Sequence, residues 1–115
     1  MAEVKKLKDN DYMKIALQLA EKGCGFTAPN PMVGAVIVKN NKIIGEGWHQ
    51  KYGEMHAERN ALAACTESPA GAVLYVTLEP CQMCAGALVQ SRIDRVVIGS
   101  MNPKAGCAGS VLNLL

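Results

Sequence analysis

Apolar residues near the start of the chain repeat with a helical period. Tyr12, Ile15, Ala16, Leu19 and Ala20 recur at three- and four-residue intervals, which predicts an amphipathic helix from about Asp11 to Lys22. Asp9, Asn10 or Asp11 can cap it, and Gly23 can stop it. The period then shortens. Residues 33–39 form a short apolar, β-branched run, and residues 42–48 return across Asn40-Asn41, a pair that tolerates the positive φ of a tight turn. Together they predict a hairpin. Gly45 and Gly47 in its second strand predict a bulge or a close backbone approach. Residues 57–65 are alanine-rich and predict a second helix starting near His56. Val73, Leu74, Tyr75 and Val76 form a continuous apolar run inside a third strand over 72–77, as suits a strand covered on both faces. Pro80 fits the first position of a third helix that continues from about 81 to 90. A fourth strand is expected over 95–99, a loop with Pro103, Gly106 and Gly109 over 102–110, and the start of a last helix from Ser110. The order α-β-β-α-β-α-β, with a short α end, predicts an α/β fold: one sheet covered by helices on both faces.

The break between the first helix and the hairpin carries Pro29-Asn30-Pro31. Each proline pushes the preceding residue toward an extended shape, so this segment is not helical. Two prolines around one asparagine favour Asn30 as a fixed hydrogen-bonding side chain over a mere stiff lead into the strand. His49 closes the hairpin's second strand. A single histidine at such a place is more often a solvated turn residue, but the loop after it leads directly to His56, so His49 is expected to face the same pocket.

Composition narrows the picture. With 115 residues the chain is read as a single domain spanning 1–115, and half its residues are apolar while 19% are charged, which excludes a disordered chain. The net charge of +2 neither demands nor excludes a polyanionic partner. No apolar run reaches the length of a membrane span, and the first residues lack the apolar core of a secretion signal. The expectation is a cytoplasmic protein with no membrane partner. Five cysteines, an odd number, argue against a disulfide framework. Cys24, Cys65 and Cys107 are read as small apolar residues or passive thiols, with Cys24 or Cys107 as a fourth metal ligand the minority reading.

The remaining cysteines change the picture most. His56, Cys81 and Cys84 are three zinc-type ligands, and Glu58 is a carboxylate two residues from the histidine. Structural zinc sites close with four protein ligands, whereas catalytic ones keep three and leave a position for water. Three ligands and one unattached carboxylate therefore read as metal-activated hydrolysis, with Glu58 moving the protons. Residues two apart do not share a helix face. His56 is thus expected outside regular helical geometry, at the start of its helix. A structural Cys₂His zinc module would account for the metal but not for Glu58 or for the wide gap between His56 and Cys81. Glu79, just before the third helix, is read as answering the helix dipole.

His56-Ala57-Glu58 followed by Pro80-Cys81-Gln82-Met83-Cys84 has the H-x-E and P-C-x-x-C form of zinc-dependent base deaminases. The chain resembles the cytidine deaminase superfamily over nearly all its length, and its parts point to two branches. Residues 27–34 (TAPNPMVG), 45–49 (GEGWH) and 56–62 (HAERNAL) resemble the pyrimidine deaminase domain of riboflavin biosynthesis. From Leu78 the chain is instead similar to bacterial tRNA adenosine deaminases, through 78–87 (LEPCQMCAGA), 91–93 (SRI) and 102–110 (NPKAGCAGS). The two-part pattern reads as a chimera or a shortened chain. The resemblance implies a three-layer α/β/α sandwich of the cytidine deaminase type, its mixed sheet opening on an N-terminal antiparallel hairpin. It also implies Zn²⁺, one per chain, hydrolytic release of ammonia, and a homo-oligomer. The riboflavin branch implies substrate contacts for Asn30 and His49 and a small aminopyrimidine or nucleobase substrate. That branch normally carries a longer insert between the two cysteines, which helps hold the substrate phosphate and is absent here. The other branch makes tRNA a possible partner, but normally has an asparagine where His49 stands and a further C-terminal helix. The aminopyrimidine ranks first, a tRNA adenosine second, and a free nucleoside or base third. A catalytically idle zinc scaffold is the alternative outside enzymes.

Overall fold

The computed structural model describes residues 8–100. The expected loop over 102–110, with Lys104 and Cys107, and the last helix from Ser110 lie outside the described residues. Within them the elements run in the predicted order: α1 (Asp9–Glu21), β1 (Gly34–Lys39), β2 (Lys42–Trp48), α2 (Ala57–Ala63), β3 (Val73–Val76), α3 (Gln82–Gln90) and β4 (Arg95–Ile98).

Helix α1 starts two residues earlier than its apolar period suggests. The Asp11 carboxylate reaches back to accept the backbone N–H of Lys8 at 2.9 Å, which moves the cap to Lys8. The Asn40-Asn41 turn has φ of 52° and 61°, so the hairpin closes as expected. Both readings of the glycines in β2 hold. Ile37 pairs with Gly45 but Val38 with Ile43, leaving Ile44 as the bulged residue. A methyl group at Gly47 would meet the Ala61 backbone nitrogen and the Ala57 carbonyl, so α2 lies directly on the strand. Pro80 is not the first helical residue. Cys81 caps α3 from extended geometry (φ −76°, ψ 176°), its carbonyl accepting the N–H of Ala85 at 2.9 Å, and Pro80 stands before that cap.

The sheet order is β2-β1-β3-β4, with β1 antiparallel to both β2 and β3, and β4 parallel to β3. It is the mixed sheet with an N-terminal hairpin that was expected. Alternation along the strands supplies two cores. Ala35, Ile37, Leu74 and Val76 face Ala57 and Ala61 of α2 and Leu88 of α3. Val36, Val38 and Tyr75 face Tyr12, Ala16 and Leu19 of α1. Three layers result, α1 on one side and α2 with α3 on the other. Tyr75 also donates its hydroxyl to Asp9 at 2.6 Å, and Arg95 pairs with Asp9 at 2.7 Å, tying α1 to β3 and β4.

Candidate active site

Register brings four distant segments to one end of the sheet. Gly34, where β1 begins, pairs with Trp48, where β2 ends, and Ala35 pairs with Val76, where β3 ends. The loop before β1, the residue after β2 and the residues after β3 are therefore neighbours. Bonds beyond the strands lock them together: His49 N–H to the Val33 carbonyl at 2.9 Å, Thr77 N–H to the Gly34 carbonyl at 3.1 Å, and Gly34 N–H to Thr77 Oγ1 at 3.1 Å. The tight seating of α2 on β2 brings the start of that helix to the same end. Open α/β sheets commonly bind ligands outside the carboxyl ends of their strands.

His56 caps α2 from extended geometry (φ −73°, ψ 167°), as its spacing from Glu58 requires. Cys81 does the same for α3, and Cys84 sits one turn into that helix, fully buried. The Sγ atoms of Cys81 and Cys84 lie 3.6 and 3.5 Å from His56 Nδ1. A tetrahedral zinc with its usual bond lengths to nitrogen and sulfur would hold those atoms about 3.6 Å apart, so the three donors fit the ion. Among the described residues they are the cluster able to hold a metal, all ligand atoms lying within 4.8 Å of one another. The exposed Cys24 is not part of it.

The two thiols shift in opposite directions. A hydrogen bond from Cys84, with help from His56 and against burial, draws Cys81 down to about 4, so it is a thiolate. The same hydrogen bond and burial push the Cys84 thiol up. Burial raises the Glu58 carboxyl to about 7; its own backbone N–H opposes the rise, the Cys81 charge adds to it, and His56 lowers it.

Asn30, Pro31, Val33, His49, His56, Glu58, Leu78, Glu79 and Cys81 line one pocket of about 180 Å³. The structure thus gathers Asn30, His49, His56, Glu58 and Cys81 on its walls, with Cys84 behind. His49 is not a solvated turn residue: it is 2% exposed, with Nδ1 3.1 Å from the Met55 carbonyl and Nε2 3.3 Å from the Asn30 amide nitrogen. Its ring meets His56 edge-on, with centroids 5.1 Å apart. Glu79, read from sequence as serving the helix dipole, is buried in the pocket wall. Leu78 and Val33 were missed, because their apolar side chains read only as core until the sheet end is assembled.

The family model for the cytidine and deoxycytidylate deaminase zinc-binding region matches residues 6–100. The chain belongs to this deaminase family. As a member it is a zinc-binding deaminase domain, and its three clustered ligand atoms could hold a metal ion. It is 48% identical over 117 residues to the riboflavin biosynthesis protein RibD of Actinobacillus pleuropneumoniae, covering 96% of this chain and 31% of that protein. The same identity, over 109 residues, relates it to the diaminohydroxyphosphoribosylamino-pyrimidine deaminase of Buchnera aphidicola subsp. Schizaphis graminum, covering 90% of this chain and 74% of that one. The chain therefore spans under a third of the RibD protein and about three quarters of the Buchnera deaminase. Among solved structures, the deaminase/reductase of Thermotoga maritima matches with a TM-score of 0.80 at 44% identity, over 83% of this chain and 30% of that one. A tRNA:A34 deaminase matches with a TM-score of 0.74 at 31% identity, over 88% and 83%. No helix among the described residues is long and apolar enough to cross a membrane.

Proposed function

We propose that this chain removes an exocyclic amine from an aminopyrimidine ribonucleotide by hydrolysis, releasing ammonia, as a diaminohydroxyphosphoribosylaminopyrimidine deaminase. The observation that carries the reading is the bonded Asn30–His49 pair on the pocket wall beside Glu58. In this reading His56, Cys81 and Cys84 hold one zinc ion. Bound there, zinc would supply the Lewis acidity that lets water ionise near neutral pH, far below its bulk value. Glu58 takes one proton from water and passes it to the ring nitrogen as the water oxygen bonds to the amine-bearing carbon, then takes the second proton from that oxygen to the amine, which leaves as ammonia as the carbonyl forms. A carboxyl raised to about 7 is matched to that double duty at neutral pH. Asn30 and His49 hold the ring substituents and the ribose.

A cavity of about 180 Å³ is smaller than the roughly 300–1,000 Å³ of sites that enclose drug-sized ligands. It suits a single ring, with the ribosyl phosphate outside. The short Cys81–Cys84 spacing leaves no insert to hold that phosphate, so weak affinity is expected even for the right substrate. The free thiols fit a reducing, cytoplasmic setting. A homo-oligomer is supported by the outer face of α3, where Met83 and Val89 are each 54% exposed and a methyl group at Gly86 would meet no neighbouring atom within 4 Å.

A second reading, a tRNA adenosine deaminase, is favoured by that same C-x-x-C spacing and by the match to the tRNA:A34 deaminase structure. The change of resemblance near Leu78 supports a composite of the two branches. The deciding measurement compares ammonia release from diaminohydroxyphosphoribosylaminopyrimidine with inosine formation in an anticodon stem-loop. Ammonia without inosine is expected. Inosine without pyrimidine turnover would reverse the order, and activity on neither would return the question to free nucleosides or an idle scaffold.

A further inference from the structure

The loop from His49 to Met55 lies between the strand end at Trp48 and the helix start at His56, and one side chain holds both of its ends. Asn60, in the first turns of α2, is half-buried and points its amide nitrogen at two carbonyls seven residues apart: Trp48 at 2.9 Å and Met55 at 3.2 Å. Both amide protons are used. The Met55 carbonyl also faces His49 Nδ1 at 3.1 Å. A carbonyl oxygen only accepts, so His49 must carry its proton on Nδ1. Nε2 is then the acceptor that faces the Asn30 amide nitrogen at 3.3 Å. The chain of bonds runs from Asn60 through the Met55 carbonyl and the His49 ring to Asn30.

We infer that Asn60 is a positioning residue: by clamping the Trp48 and Met55 carbonyls it fixes the orientation and the Nδ1–H tautomer of His49, and so sets the face that Asn30 and His49 present to a substrate. Other side chains do not supply two diverging donors at this reach. Aspartate has the shape and no donor, serine has one donor, and alanine has none. Asn60 also couples the two halves of the site, because its own helix carries His56 and Glu58 while its amide holds the segment that carries His49. The inference rests on the proposal that His49 contacts substrate.

The test uses the full chain loaded with zinc and labelled with ¹⁵N-histidine, in which the two histidines give two separable rings. In the wild type the His49 proton should reside on Nδ1, with Nε2 bare. Asn60→Ala should blur that into mixed tautomers and raise KM for the aminopyrimidine nucleotide roughly 3- to 10-fold, the loss expected for one hydrogen bond. Zinc content should remain at the wild-type level and kcat should change by no more than about twofold, since the chemical groups stay in place. Asn60→Asp, which keeps the shape and loses both donors, should behave like Asn60→Ala. A wild-type His49 protonated on Nε2 would overturn the inference even if neither variant folds. So would an Asn60→Ala protein with the wild-type His49 spectrum and KM. His49→Ala, measured in parallel, separates the two levels: a wild-type KM there defeats the substrate-contact reading, whereas a raised KM with an inert Asn60→Ala defeats only the clamp.

Discussion

Glu58 is the residue whose surroundings say most about its task. It lies second in helix α2, 3% exposed, two residues from His56, which caps the helix from outside it. A carboxylate in that place is costly to bury unless it gains something from the site, and burial is the largest cause of its raised pKa. Replacing it by glutamine keeps the volume and removes the proton carrier. Glu58→Gln should retain one zinc per chain by metal analysis and lose about 10²–10⁴-fold in kcat. Loss of zinc in that variant would make Glu58 a ligand and return weight to a structural metal site.

At the scale of elements, the site depends on how closely helices sit on the sheet. Gly34 on β1 lets α1 approach so that an added methyl would overlap the Ala16 carbonyl, and Gly47 on β2 does the same for α2. Neither glycine has the left-handed backbone that would by itself require it. Proximity is the reason. Gly34→Ala and Gly47→Ala should each cost about 1–3 kcal/mol in chemical denaturation, the usual penalty of overpacking. The two should part company at the metal. α2 carries His56, so Gly47→Ala should weaken zinc affinity in a chelator competition, while Gly34→Ala, which moves α1, should leave it near wild type.

Across the whole molecule the three candidate metal ligands join α2 to α3, two helices separated by strand β3 in the chain. An ion held by the folded site alone stabilises folding by mass action, about 4 kcal/mol when free zinc exceeds its Kd about 1,000-fold. Chelation should therefore lower Tm by roughly ten degrees or more for a domain of this size. Cys84→Ala should carry less zinc and show little further response to chelator. The exposed stripe of Met83, Gly86 and Val89 on α3 has its own consequence. Light scattering at micromolar protein should give a mass above that of one chain, and Met83→Lys with Val89→Lys should reduce it. A stable monomer in the wild type would end the oligomer proposal.

Local chemistry was enough to read the order of elements and the hairpin turn at Asn40-Asn41, because each depends on residue type and spacing within a dozen positions. Residue type also singled out His56, Cys81 and Cys84, whose ligand atoms the fold gathers within 4.8 Å of one another. The need for His56 to stand outside its helix also followed from spacing alone. Helix boundaries slipped by a residue or two where caps decided them: Asp11 reaching back to Lys8, and Cys81 taking the cap that Pro80 only precedes. Of two neighbouring small residues on α3, Ala85 is buried and Gly86 is open. Which way each faces is set by the docking of the helix, not by its composition. The pocket itself was a tertiary decision. Asn30, His49, Glu79 and Cys81 come from three separate segments, and only the pairing of β1 with both β2 and β3 brings their ends together. Asn60 looked like an ordinary helix residue, because its partners are backbone carbonyls and those carry no sequence signature. Sequence determined which chemical groups the protein owns. The register of the sheet decided which of them meet, since strand pairing joins positions that no local pattern relates.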